Sequence, residues 1–104
     1  MTSTSDDQSQ TSAQAIPTLA DLRDQIDHVD QHIHRLLNQR ARLAEQVAHA
    51  KQATEANPVF YRPEREAQVL RAVMERNTGP LGDETMARLF REIMSACLAL
   101  EAPQ

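Results

Sequence analysis

Two cations stand where an amphipathic helix should be apolar. From Leu22 the apolar residues fall at Leu22, Ile26, Val29, Ile33, Leu36, Leu43, Val47 and Ala50. Steps of four and three alternate through this run, as in a coiled-coil seam. Arg40 occupies the position between Leu36 and Leu43 where the rhythm asks for an apolar side chain. A guanidinium in a seam is costly unless an anion meets it. It either pairs with a glutamate of a partner helix, specifies register, or meets an anionic ligand. Lys51 follows 11 residues later. That is about three turns, so the two cations share a face within roughly 20° and about 16 Å of helix axis. Val47 lies between them on the inner side, and no acidic residue does. Two inward cations without an acid point to a small, multiply charged anionic ligand.

Other reactive residues divide into candidates and bystanders. The stripe Phe90, Met94, Cys97 continues into Glu101. A carboxyl there is protonated by burial, pairs with Arg40 or Lys51, or frays into solvent. The run Tyr61-Arg62-Pro63-Glu64-Arg65-Glu66 reads as a solvated first helical turn, or as one that turns Arg65, Glu66 or both into a pocket. His28 and His32 are four apart on one face, but off the seam and without an evident third ligand, so no metal site is expected. His34 and His49 read as surface residues, and Cys97 as apolar packing. No Gly-rich phosphate loop, Ser-His-Asp arrangement or basic-aromatic patch is present.

Helices must position these groups. Residues 18–56 contain no Pro or Gly before Asn57-Pro58, which stops a helix because a residue before proline avoids the α region. Thr18 is the expected N-cap, with Asp21 completing an acidic capping box. A second helix is expected over 63–77, opening on Pro63 and carrying Val69, Leu70, Val73 and Met74 on one face. Asn77-Thr78-Gly79-Pro80 ends it. A third is expected over 83–101, with Asp83 as N-cap and Met86, Leu89, Phe90, Ile93, Met94, Cys97 and Leu98 as its stripe. Residues 1–17 are rich in Ser, Thr, Gln and Asp and read as a disordered lead before a helical domain at 18–104.

Length turns this pattern into an assembly. The first helix would be roughly 50 Å long, whereas a compact chain of 104 residues has a radius of gyration of only about 13 Å. Its seam persists along nearly all of it, and two shorter helices cannot cover that seam alone. The expected architecture is all-α, three helices per protomer in an intertwined homodimer. A monomeric three-helix bundle with a bent first helix is the other solution.

Composition narrows the class. With 2 Gly, no Trp, 1 Tyr and 2 Phe in a chain that is 40% hydrophobic, little is available for sheets or hairpins. One cysteine excludes a disulfide framework. A net charge of −4 argues against coating nucleic acid. Neither a secretory signal nor a membrane span is recognisable, so a cytoplasmic protein is expected. Ten of the eleven basic residues are arginine, which a GC-rich genome would explain, and Lys51 is the exception.

The ordered set of motifs is more specific than any one of them. Leu22-Arg23-Asp24-Gln25-Ile26-Asp27 with Val29-Asp30, then Leu36-Leu37-Asn38-Gln39-Arg40, Val47-Ala48-His49-Ala50-Lys51 and Arg65-Glu66 resemble the all-helical class of chorismate mutases. The resemblance covers residues 19–101. The stretches Val59–Glu66 and Ile93–Glu101 are most similar to the N-terminal mutase domain of bifunctional chorismate mutase–prephenate dehydratases. It implies an intertwined dimer with two equivalent sites and the Claisen rearrangement of chorismate to prephenate, toward Phe and Tyr in the shikimate pathway. The reaction needs no cofactor, and catalysis is positioning plus electrostatic stabilisation.

The same resemblance implies roles. Arg40 grips one substrate carboxylate, and Arg23 reaches across from the partner subunit to grip a carboxylate. Lys51 hydrogen-bonds the breaking ether oxygen and a carboxylate. Glu66 accepts from the ring hydroxyl, which the backbone at Arg62 helps to hold, and Arg65 lies beside the substrate. Val47, Met94 and Leu98 form apolar walls. Glu101 stands where many members carry Gln, so it must be protonated to donate to the ether oxygen. Cys97 stands where some members use Ser to bond a carboxylate, and a thiol donates less well. Two other readings share these features: an isochorismate-pyruvate lyase of the same fold, and a catalytically silent helical dimerisation or regulatory module.

Overall fold

The computed structural model describes residues 16–101. The expected lead is thus seen only at Ile16 and Pro17, both exposed and outside helix, and the rest of it lies outside the described residues. Three helices and no strand occur among the described residues: α1 (Leu19–Thr54), α2 (Pro63–Arg76) and α3 (Asp83–Glu101). Residues up to His34 form one compact unit and those from Arg35 onward a second. The division falls inside α1, whose helix is unbroken across it.

The first unit holds the start of α1. The Asp21 N–H donates to Thr18 Oγ1 at 3.0 Å and the Thr18 N–H to Asp21 Oδ2 at 3.3 Å, a reciprocal capping box with aspartate in place of glutamate. The apolar residues of this segment are open to solvent: Leu22 is 44% exposed, Ile26 58%, Val29 56% and Ile33 47%. A seam at helical spacing with each side chain about half exposed is the main feature of this unit.

The second unit carries the rest of α1 with α2 and α3. Helix α1 ends at Thr54, two residues before the expected 56. There the Thr54 hydroxyl donates to the Ala50 carbonyl at 3.2 Å, the i−4 back-bond that threonine makes on a helix. Helix α2 opens on Pro63 behind an extended Arg62 that makes no side-chain cap. Proline suits that position because the N–H it lacks would have no helical partner.

Helices α2 and α3 pack against each other. The turn between them is tied by Asn77, whose Nδ2 donates to the Leu81 carbonyl at 2.8 Å and to Asp83 Oδ1 at 2.7 Å. Gly79 has φ 81°, in the left-handed region that a side chain disfavours. This turn corrects the expected cap of α3. The Met86 N–H bonds to the Gly82 carbonyl at 3.0 Å, so Gly82 holds the capping position and Asp83 is the first helical residue. The Asp83 carboxylate accepts from Asn77 instead of from its own helix.

Buried apolar side chains among the described residues are few and small: Ala44, Ala48, Val73, Ala87 and Cys97. Val73 lies on the expected face of α2, with Val69, Leu70 and Met74 half-buried beside it. Of the α3 stripe, Met86, Phe90, Ile93, Met94 and Leu98 are half-buried and Cys97 buried, but Leu89 is 48% exposed. No helix among the described residues is long and apolar enough to cross a membrane.

Candidate functional site

Within the second unit each helix turns one face toward a common cavity of about 490 Å³, a size typical of small-molecule sites. The lining residues show helical spacing on all three elements. Helix α1 contributes Arg40, Leu43, Ala44, Val47 and Lys51. Helix α2 and its cap contribute Arg62, Arg65, Glu66 and Val69. Helix α3 contributes Met94, Ser95, Cys97, Leu98 and Glu101. Residues three, four and seven apart share a face, so the cavity is where three such faces converge.

Its electrostatics are cationic. Arg40, Lys51, Arg62 and Arg65 share the lining with Glu66, Glu101 and apolar side chains. Four cations against two carboxylates favour a multiply charged anion and repel a metal cation. Helix ends add to this arrangement. Lys51 is in the last turn of α1, where the helix dipole favours a cation, and Glu66 is in the first turn of α2, where it favours an anion. Arg40, Lys51, Glu66 and Glu101 are all half-buried, so each can reach a ligand without a large desolvation cost in its absence.

Lys51 is held from the segment before α2. Its Nζ donates to the Val59 carbonyl at 2.9 Å and lies 5.6 Å from the centroid of the Phe60 ring. Phe60 and Tyr61 also line the cavity.

All but one of the expected site residues line this cavity: Arg40, Val47, Lys51, Arg62, Arg65, Glu66, Met94, Cys97, Leu98 and Glu101. Both Arg65 and Glu66 do so. Glu101 ends α3 half-buried on the lining rather than lost to solvent. Arg23 is exposed in the first unit and is not part of the lining. Leu43, Ala44, Phe60, Tyr61, Val69 and Ser95 also line the cavity and are not among the expected site residues. Ser95 follows Met94 directly, and a stripe read only at steps of three and four passes over it. His28 Nδ1 donates to the Asp24 carbonyl at 2.9 Å, and among the described residues no three His, Cys, Asp or Glu side chains come together to hold a metal.

Three helical faces around a cationic cavity define an all-helical protein for a small anion, and comparison with known proteins narrows that class. The chorismate mutase type II family model matches residues 22–102, and the chain belongs to that family. It is 58% identical over 85 residues to the bifunctional chorismate mutase/prephenate dehydratase of Stutzerimonas stutzeri, covering 79% of this chain and 23% of that protein. With the bifunctional enzyme of Pseudomonas aeruginosa the identity is 55% over the same length, with the same coverage of each. The chain therefore spans about a quarter of these relatives. Among solved structures, form II of the chorismate mutase from Thermus thermophilus superposes with a TM-score of 0.73 at 40% identity, covering 80% of this chain and 92% of that one. Helicobacter pylori chorismate mutase in complex with prephenate gives 0.70 at 28% identity, covering 80% and 88%.

Proposed function

We propose that the chain is a chorismate mutase, an isomerase that converts chorismate to prephenate without a cofactor, acting in the cytoplasm. The observation that carries this reading is the cavity of about 490 Å³ in which Arg40 and Lys51 meet Glu66 and Glu101. Family membership and the prephenate held by the Helicobacter pylori relative support it.

The reaction is intramolecular. One ether C–O bond breaks, one C–C bond forms, and no proton or electron is gained or lost. What a protein can supply is a folded conformer of the substrate and stabilisation of charge that develops at the ether oxygen. In this reading Arg40 grips a carboxylate with its planar fork, a geometry that arginine supplies and lysine does not. Lys51 offers an N–H to the ether oxygen, and the Glu101 carboxyl hydrogen-bonds the same atom. Glu66 accepts from the ring hydroxyl, helped by the backbone at Arg62, while Arg65 lies alongside. Val47, Met94 and Leu98 press the two halves of the substrate together, and Cys97 lends a weak donor to a carboxylate.

The functional unit in this reading is a homodimer. Leu22, Ile26, Val29 and Ile33 are each about half exposed in the single chain. Covering what remains of four such side chains stabilises an assembly by ~3–6 kcal/mol. A second copy is the occupant with a matching seam, and Arg23, on the same segment, completes the cavity of that copy.

Loss of chorismate absorbance tests the activity. The wild-type chain should consume chorismate with prephenate as product. Arg40→Ala should lower kcat/KM by roughly 100-fold or more, as expected for a lost charge-assisted, two-pronged contact. An inert wild-type chain would overturn the reading.

A further inference from the structure

We propose that Phe60 is a positioning residue for the Lys51 ammonium; the inference rests on the role given to Lys51 above. A lysine ammonium is a point charge on a flexible stem with three N–H donors. Left alone it would sample many positions at the end of α1. Here two consecutive residues of the α1–α2 connection restrain it. The Val59 carbonyl takes one N–H at 2.9 Å. The Phe60 ring lies 5.6 Å from Nζ, within the distance at which the negative face of an aromatic ring attracts a cation.

The two restraints act differently. A single hydrogen bond fixes a distance but lets the ammonium swing about the carbonyl. A ring that attracts the same ammonium limits that swing. Because the ring attracts without accepting an N–H in the usual sense, the remaining donors stay available to a ligand. Phe60 itself lines the cavity and is half-buried, where water weakens a cation–π contact less than at an open surface. Lys51 thus keeps an address on the cavity wall before substrate arrives, and the reaction does not have to order it. A leucine of similar bulk would fill the space without supplying this restraint.

Replacing Phe60 by phenylalanines bearing one, two and three ring fluorines tests this in the full chain. Fluorine weakens the negative ring face while nearly preserving shape. Chorismate turnover should fall stepwise along the series, reaching about 3- to 10-fold in kcat, with KM changing less. Phe60→Tyr, which keeps a π face, should retain turnover near wild type. A flat fluorine series beside an inactive Lys51→Ala overturns the role of Phe60 and leaves that of Lys51 intact. Full turnover by Lys51→Ala overturns both.

Discussion

At the scale of the residue, two groups of the cavity are not interchangeable with their nearest chemical relatives. Lys51 is the single lysine among eleven basic residues. It sits where a compact ammonium donates to the Val59 carbonyl and lies by the Phe60 ring. A guanidinium there would carry the charge on a wide planar fork and could not address one ether oxygen in the same place. Lys51→Arg should therefore lose at least about 10-fold in kcat while the protein stays folded, measured by chorismate turnover beside far-UV circular dichroism. Glu101 offers the cavity a carboxyl where an amide would offer a permanent N–H donor. Glu101→Gln should therefore raise kcat by about 3-fold or more, while Glu101→Ala, which offers neither, should lower it. Equal turnover of all three would remove Glu101 from the mechanism.

At the scale of the element, the periodic parts of the chain were readable and the folded-back parts were not. The Thr18–Asp21 capping box follows from a four-residue motif, and the hydrogen bonds found are the ones it calls for. The cavity faces of α1, α2 and α3 follow from spacing together with family resemblance. Asp83 shows the limit: residue type alone makes it a good cap, while the competing partner, Asn77, lies six residues away across the turn. Phe60 escaped for the same reason: its place beside Lys51 depends on how residues 55–62 return, and no periodicity describes them. The turn at Asn77 yields its own prediction. Asn77→Ala removes both Nδ2 bonds and the acceptor for the Gly79 N–H, and should cost about 1–2 kcal/mol. Urea unfolding at fixed protein concentration should show a lower midpoint with an unchanged slope. Asn77→Asp should do no better, because it loses the same donors and faces Asp83 with a like charge.

At the scale of the whole molecule, Arg23 is the residue that separates a dimeric site from a self-contained one. It lies in the first unit and is not among the residues that line the cavity. If it serves the cavity of a second copy, two inactive variants must repair each other. Arg23→Ala and Arg40→Ala chains, mixed and allowed to exchange, form mixed dimers in which one of the two sites has both arginines. Random pairing makes half of the dimers mixed, so turnover should recover to about one quarter of wild type. No recovery, with exchange verified by size-exclusion chromatography of differently tagged chains, would place Arg23 outside the site.

The smallness of the core carries a further consequence. Three alanines, one valine and one cysteine are the buried apolar side chains among the described residues, and deleting or adding methyl groups there changes little transfer energy compared with the four half-open seam residues of α1. In the proposed homodimer, folding and pairing become one event governed by mass action. Dilution should lower the unfolding midpoint and the turnover per chain together, so that the amount of protein a cell makes sets how much work each copy does.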